Sequence, residues 1–234
     1  MRSRFAIITI LLMMASGTVL AQDLTTENGK LSYAVGWNLG SNVKGIDKDL
    51  DLDAVLAAIS DVVGDSEPQV PAEEMRDLLI ALGEEARAKQ IAELRALAEE
   101  NKGKSETWLA ENKSKTGIAT LPSGVQYRVI EEGDGARLTM TDNFMLHYRG
   151  TKMDGREFDS TFARGTPVEF NFDTVMKGWA EVLPLMKVGA TYQIFVPPEL
   201  AFGETGYADQ QRGVLVVEPN EALMFDLKLV EVIQ

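Results

Sequence analysis

The sequence predicts an α+β protein with an all-helical first half and, in its second half, an antiparallel sheet wrapped on one short helix. Before about residue 115, apolar residues recur every three or four positions, as they do on one face of a helix. From residue 124 onward, apolar and polar residues alternate, and glycine and proline separate short segments, as in a sheet. The 234 residues are enough for one large domain or two ordinary ones.

The first 21 residues differ in kind from the rest. Arg2 and Arg4 precede an apolar run that is too short to span a bilayer comfortably, and the segment ends in small residues at Ala21. This pattern is typical of a signal peptide cleaved after Ala21, with an uncleaved anchor as the alternative. The chain also lacks cysteine, which suits an oxidising compartment. We therefore expect a periplasmic protein without a stable membrane anchor.

Helices are predicted over 22–70 and over 71–120. In the first region, Asp51 or Asp53 could cap a short apolar helix that ends near Val63. In the second, Pro71 suits a first helical turn, and the apolar residues that follow form a stripe. One continuous helix here would have about 45 residues and a length of about 65 Å. The alternative is two helices with a break near Gly103.

The predicted domain over 124–234 contains four segments whose alternation indicates strands: Val125–Val129, Phe144–Tyr148, Tyr192–Val196 and Leu223–Val232. One short helix, from about Thr174 to Met186, interrupts them. This arrangement predicts an antiparallel sheet packed on a single helix.

Composition excludes several classes of function. The chain has 23 basic and 36 acidic residues, so it is a poor candidate for binding nucleic acid. It has one histidine, His147, and no cysteine, so His/Cys metal sites are excluded, and no phosphate-binding or dinucleotide motif is present. His147 lies inside a predicted strand and is interpreted as structural. Any activity should therefore need no nucleophile, metal or cofactor.

Six motifs in the second half occur in a characteristic order and spacing: His147–Gly150, Asp154–Ser160, Val175–Trp179, Met186–Gly189, Val196–Gly203 and Leu223–Asp226. With them, the region from about Gly124 to Val232 resembles the FK506-binding type of peptidyl-prolyl cis-trans isomerase. Leu31–Gly36 resembles part of the helical extension in the periplasmic and surface members, the FkpA and macrophage infectivity potentiator group. In that group the extension forms a homodimer, so the resemblance implies dimerisation through 22–70.

The resemblance also implies a pocket for the proline ring. Trp179 would form its floor, and Tyr148, Phe158 and Phe225 would form its aromatic walls. Asp159 would polarise the interior of the pocket and bind polar groups of a ligand. A macrolide of the FK506 type is a second implied ligand.

The resemblance also implies which residues form the sides of this pocket. Four residues would contact substrate there: Val175, Met176, Val216 and Val217. Phe202 stands where the family usually has tyrosine, so a hydroxyl that donates to a bound carbonyl is missing. The loop Glu204–Leu215 is longer than usual, and Glu218 replaces a proline at its end. These departures are expected to change substrate access and preference.

The resulting hypothesis is an isomerase that binds X-Pro segments of unfolded exported proteins without a cofactor or metal. This reaction only requires a site that favours the twisted amide over the planar one. The alternative is a dimeric periplasmic chaperone or peptide-binding module with weak or no isomerase activity. Phe202 and the long loop point weakly towards that alternative.

Overall fold

A computed structural model describes residues 23–233, so the predicted signal peptide lies outside the described residues. The chain divides into two compact units, with the boundary between Asp77 and Leu78. Three helices make up the first half: α1 (Glu27–Lys44), α2 (Leu52–Val63) and α3 (Ala72–Lys113). The remainder is a sheet domain with two short helices, so the predicted α+β class is confirmed.

Side-chain caps fix the starts of the first two helices. The Thr26 side chain accepts a hydrogen bond from the backbone of Gly29 at 3.0 Å, and Asp51 accepts from Asp53 and Ala54. Asp51, rather than Asp53, is therefore the cap of α2. Within the described chain, neither α1 nor α2 has a buried residue. Their apolar side chains remain exposed, although both helices are well capped.

Helix α3 is continuous over 42 residues. It passes through both Gly83 and Gly103, so the alternative of a break near Gly103 is wrong. Two or three turns of α3 near its carboxyl end bury polar side chains, namely Asn101, Ser105 and Asn112. That part of the helix packs against the sheet domain.

Within residues 23–233, one antiparallel sheet contains seven strands: β1 (Ala119–Thr120), β2 (Gln126–Glu131), β3 (Asn143–Lys152), β4 (Glu157–Ser160), β5 (Val168–Asn171), β6 (Thr191–Val196) and β9 (Leu223–Ile233). Their order is β1-β2-β6-β9-β3-β4, and β5 also pairs with β3. A separate hairpin consists of β7 (Tyr207–Asp209) and β8 (Val214–Val217). Helix α4 (Thr161–Arg164) follows β4, and α5 (Lys177–Val182) lies between β5 and β6.

The short helix begins later than predicted. Asn171 Oδ1 accepts hydrogen bonds from the backbone N–H groups of Asp173 and Thr174, which forms a turn before the helix. Met176 is still extended, so α5 starts at Lys177. A 3-10 turn then runs over Leu183–Leu185, and a proline, Pro184, lies at its start. Local turn chemistry therefore shortens the regular helix at both ends.

The central strand β9 shows how sequence alternation builds the core. Leu223, Phe225, Leu227 and Leu229 are each at most 1% exposed, whereas Lys228 between them is exposed. Each fully buried leucine contributes about 1.5–3 kcal/mol of hydrophobic stabilisation. This face of the sheet packs against α5, whose Val182 is also completely buried.

Candidate functional site

Trp179 on α5 lies at the centre of a group of aromatic rings and is 4% exposed. Its ring centroid is 5.2 Å from that of Tyr148 and 5.1 Å from that of Phe225, which it meets edge to face at 81°. Phe170 on β5 contacts both Trp179 and Tyr148, at 5.9 and 6.1 Å. Edge-to-face pairs at these distances are favourable arrangements for aromatic rings. The Trp179 side chain thus extends from α5 and packs against rings from β3, β5 and β9.

The two remaining predicted aromatic residues extend this group. Phe158 on β4 lies 5.8 Å from Phe225 and 6.5 Å from Phe202, in edge-to-face arrangements. The structure therefore brings the five predicted aromatic residues into one connected ring cluster. We define the ring cluster as Tyr148, Phe158, Trp179, Phe202 and Phe225. The role of the ring cluster as a binding site remains a prediction.

Two glycines make the close approaches in the ring cluster feasible. A Cβ at Gly150 would lie 2.6 Å from Phe158 and 2.9 Å from Phe225, so β3 must carry glycine where these rings meet. A Cβ at Gly178 would lie 2.4 Å from a methyl group of Val196. Gly178 therefore lets α5 approach β6 closely, which seats Trp179 on the sheet.

Asp159 forms a hydrogen-bonded group at the edge of the ring cluster. It accepts from the hydroxyl of Tyr148, and Arg164 Nη1 donates to its other oxygen at 2.5 Å. Burial raises the pKa of Asp159, but hydrogen bonds from Tyr148 and Arg164 and the arginine charge outweigh it, so the pKa lies below the ordinary 3.8. Burial and the bond to Asp159 raise the pKa of Tyr148. The carboxylate stays charged and the phenol stays protonated near neutral pH.

Arg164 and Phe170 were not predicted as parts of this site. Arg164 ends α4, and Gly165 after it adopts a left-handed conformation with φ of 77°. The Ser160 side chain accepts from the backbone of Ala163 and starts this short helix. A serine followed four residues later by arginine and glycine is a local signal that could have placed Arg164 near Asp159.

The predicted substrate-contacting residues occupy two segments. Val175 and Met176 are half-buried and pack against the core just before α5, where the carbonyl of Met176 accepts from Trp179 N at 3.0 Å. On β8, Val216 is half-buried and Val217 is completely buried. The first pair is tied directly to Trp179 through the start of α5. The second pair lies on the hairpin that follows Phe202.

The long loop after Phe202 folds into the β7–β8 hairpin. Tyr207, at its start, stacks on Phe202 with centroids 5.1 Å apart and remains 46% exposed. Gly206 permits this geometry because its φ is 67°, and a Cβ there would lie 2.3 Å from the carbonyl oxygen of Val217. Tyr207 therefore continues the ring cluster outward from Phe202.

The indole nitrogen of Trp179 is buried and has no hydrogen-bond partner in the described part of the protein. An unsatisfied buried donor of this kind costs about 1–3 kcal/mol.

The described residues do not form a cluster that could hold a metal ion, and the single histidine of the sequence contacts a ring and a hydroxyl. No group of three or more His, Cys, Asp or Glu side chains in residues 23–233 could hold a metal ion. His147 stacks on Phe162 at 4.8 Å, and its Nδ1 lies 3.0 Å from the hydroxyl of Thr161. Within the same residues, no helix has the length and apolar character needed to cross a membrane.

Two family models together match most of the chain. The model for the FKBP-type peptidyl-prolyl cis-trans isomerase matches residues 135–230, and the model for the domain amino-terminal to it matches residues 28–129. The chain is 37% identical to the outer membrane protein MIP of Legionella longbeachae, over 97% of this chain and 95% of that protein. It is 35% identical to the peptidyl-prolyl cis-trans isomerase Mip of Coxiella burnetii, over 94% of each chain.

A solved structure gives the same result. The crystal structure of FkpA from Escherichia coli matches with a TM-score of 0.70 at 29% identity, over 89% of this chain and 97% of that one. The chain therefore belongs to the FKBP-type peptidyl-prolyl cis-trans isomerase family. It is an isomerase of this type, as the sequence predicted.

Proposed function

We propose that the ring cluster is the site where this isomerase binds X-Pro segments, with the proline ring seated over Trp179. The observation that carries this proposal is the convergence of aromatic rings from β3 and β9 on Trp179, beside the hydrogen-bonded carboxylate of Asp159. The predicted role of Tyr148, Phe158 and Phe225 as walls agrees with their direct ring contacts to Trp179 or to one another.

The proposed chemistry follows from the nature of the reaction. Amide resonance opposes rotation with a barrier of about 18–20 kcal/mol, and the two X-Pro isomers differ by only about 0.5–1 kcal/mol. A twisted amide has lost resonance and is less polar at its carbonyl. An apolar pocket that excludes water therefore favours the twisted amide over the planar one. No step requires a nucleophile or a cofactor.

Asp159, Tyr148 and Arg164 would hold one wall of this site. Asp159 accepts from both of the other side chains, so it fixes the orientation of the Tyr148 ring. Arg164 Nη2 also donates to the Tyr148 hydroxyl at 3.2 Å. The Asp159 carboxylate, paired with the Arg164 guanidinium, therefore lies beside the apolar pocket. A macrolide of the FK506 type would use the same apolar surface and compete with the peptide.

Matched tryptophan variants test the pocket. Trp179→Phe should lower the rate of proline-limited refolding by about 5- to 30-fold, because contacts worth about 1–2 kcal/mol are lost. Trp108→Phe is the control, because Trp108 packs on Phe195 at 5.6 Å outside the ring cluster. Equal activity of Trp179→Phe and the wild type would remove the ring cluster from the mechanism.

We further propose that a second copy of the chain covers α1. A groove of about 720 Å³ runs along α1, and its lining includes Gly36, Gly40 and Trp37. Trp37 is 68% exposed and Leu31 is 62% exposed. Small residues beside large apolar ones permit close helix packing and provide apolar area to bury. The similarity to FkpA over most of both chains supports this proposal.

Substitution of the α1 glycines tests the homodimer. A Cβ at Gly36 or Gly40 would meet no atom within 4 Å beyond adjacent helix backbone, so a side chain fits within the described chain. Gly36→Leu with Gly40→Leu should therefore preserve the helix but yield a monomer in sedimentation. Gly103→Leu is the control, since its site is equally open. A double variant that still sediments as a dimer would refute this interface.

The proposed clients are unfolded or partly folded exported proteins in a bacterial periplasm. The predicted signal peptide and the similarity to an outer membrane protein support this location. The second candidate role is that of a dimeric chaperone or peptide-binding module with weak isomerase activity. Exposed apolar residues on the hairpin favour it, because Tyr207, Val214 and Leu215 are 39–49% exposed. Suppression of client aggregation that survives Trp179→Phe would support this role.

A further inference from the structure

The turn Glu218–Ala222, which joins β8 to β9, is held by helix α3. The hydroxyl of Ser105 donates to the carbonyl of Asn220 at 2.8 Å and accepts from the backbone N–H of Ala222 at 2.8 Å. Ser105 is 1% exposed. This one side chain therefore satisfies both a donor and an acceptor in the turn.

Asn101, one helical turn earlier, makes a second attachment. Its Nδ2 donates to Glu218 Oε2 at 3.0 Å and to the carbonyl of Pro219 at 3.1 Å. In return, Asn220 Nδ2 donates to the carbonyl of Ala98 on α3 at 3.1 Å. Asn101 is 3% exposed, so these hydrogen bonds are shielded from water. Buried polar bonds of this kind fix one register between two elements.

Neither residue is explained by the needs of the helix. Serine and asparagine are weaker helix formers than alanine or leucine, and both normally prefer exposed positions. Here they lie in the interior of a 42-residue helix and direct their polar atoms to the turn. Their burial therefore serves the contact with the sheet domain.

The same turn is bonded to the segment that carries Phe202. The backbone N–H of Asn220 donates to the carbonyl of Gly203 at 2.8 Å, and Gly203 directly follows Phe202. Asn220 adopts a left-handed conformation with φ of 53°, which asparagine tolerates better than most residues. Val217 directly precedes the turn and Phe225 lies three residues after it. A displacement of the turn would therefore move three parts of the proposed site.

We propose that Asn101 and Ser105 are positioning residues for the isomerase site, acting through the turn Glu218–Ala222 on Phe202 and Val217. This inference rests on the proposal that the ring cluster binds the X-Pro segment. Helix α3 is then part of the machinery that shapes the pocket, although it contributes no side chain to the ring cluster. Loss of either attachment should impair turnover in a folded protein.

Variants of the full chain test the inference. Ser105→Ala should lower kcat/KM for a short X-Pro peptide by about 3- to 10-fold, because two hydrogen bonds to the turn are lost. Thr107→Ala is the matched control on the same helix. Its hydroxyl is exposed and donates to the carbonyl of Gly103 on its own helix, so kcat/KM should be unchanged. Circular dichroism at the assay temperature verifies that each variant is folded.

A donor–acceptor swap provides a readout that general destabilisation would not give. Asn101→Asp places a second carboxylate beside Glu218, so kcat/KM should fall at least as far as in Ser105→Ala. Adding Glu218→Gln to Asn101→Asp restores the bond to residue 218 with reversed polarity, whereas the bond to the Pro219 carbonyl stays lost, so part of the loss in log(kcat/KM) should be recovered. Absence of recovery in the double variant would overturn the inference, even if the single variants are poorly folded.

The failure of this inference is distinguishable from failure of the pocket. If Ser105→Ala and Asn101→Asp match the wild type while Trp179→Phe loses activity, the positioning role is wrong and the pocket stands. If Trp179→Phe also matches the wild type, the pocket proposal fails and takes the positioning role with it.

Discussion

Trp37 in the α1–α2 region and Trp179 in the sheet domain differ strongly in how far they are exposed to solvent. Trp37 on α1 is 68% exposed and packs mainly beside Tyr33 on its own helix, with ring centroids 6.1 Å apart. Trp179 on α5 is 4% exposed and contacts rings from three strands. The sheet domain completes its own core, whereas α1 and α2 leave their apolar faces uncovered. This difference underlies the proposal that a second copy of the chain covers α1, whereas the sheet domain completes its core within one copy.

The largest expected difference between the two regions is in how the loss of an aromatic side chain changes the free energy of unfolding. Phe144, in the core of the sheet domain, is completely buried. Phe144→Ala should therefore lower the free energy of unfolding by about 3–5 kcal/mol. Trp37→Ala should have a small effect on an isolated copy and an effect that grows with protein concentration, because dimerisation stabilises by mass action. Urea unfolding at two protein concentrations measures both. A loss in Trp37→Ala that is independent of protein concentration would contradict the proposal that a second copy covers α1.

Close packing at Gly150 gives the next largest effect. An added methyl group would meet Phe158 and Phe225 at less than 3 Å. Gly150→Ala should destabilise the sheet domain by about 1–3 kcal/mol through overpacking and should also reduce isomerase activity. Gly155→Ala is a contrasting variant, because nothing lies within 4 Å of its added Cβ but φ is 85°. Backbone strain should lower its stability while leaving the rings, and hence the activity, in place.

Phe202→Tyr tests the position at which the resemblance predicted tyrosine. Restoring a hydroxyl that donates to the bound carbonyl should strengthen binding of the twisted amide by about 0.5–1.5 kcal/mol. That gain corresponds to a rise in kcat/KM of up to about tenfold, measured with a short X-Pro peptide. Tyr207→Phe removes the hydroxyl from the ring stacked on Phe202 and serves as the control. A lower activity in Phe202→Tyr would contradict the proposed role of this position.

The smallest effect concerns the pH dependence of Asp159. Its pKa is lower in the folded protein than in the unfolded chain, so its stabilising effect is present above the unfolded value and is lost as pH falls through the folded value. Its side chain is 38% exposed, which limits the size of the effect. The stability difference between the wild type and Asp159→Asn should be constant above about pH 5 and should shrink below about pH 4. A difference that grows on acidification would reverse the assigned sign.

Periodic features of the fold were accessible from the sequence. The alternation over Leu223–Val232 predicted β9, and the apolar stripe after Pro71 predicted α3, because both patterns depend only on local geometry. The β7–β8 hairpin was missed and was read only as a long loop. Its strands have three and four residues, and their pairing depends on tertiary context that no local pattern encodes.

The ring cluster was predicted as a set because family motifs carry it in register. Phe170 and Arg164 escaped prediction because their places depend on the β3–β5 pairing and on the turn after β4. Asn101 and Ser105 escaped for a different reason. Polar residues on a long helix are normally solvated, and only docking of α3 on the sheet domain determines which of them become buried.

The most direct test compares the full chain with the fragment Leu78–Gln234, which retains the sheet domain and the part of α3 that packs on it. Both should turn over a short X-Pro peptide with kcat/KM within about twofold, because the proposed site lies wholly in this unit. The fragment should sediment as a monomer, and the full chain as a dimer. A fragment that is folded but inactive on the short peptide, or that remains dimeric, would contradict the division of roles between the two regions.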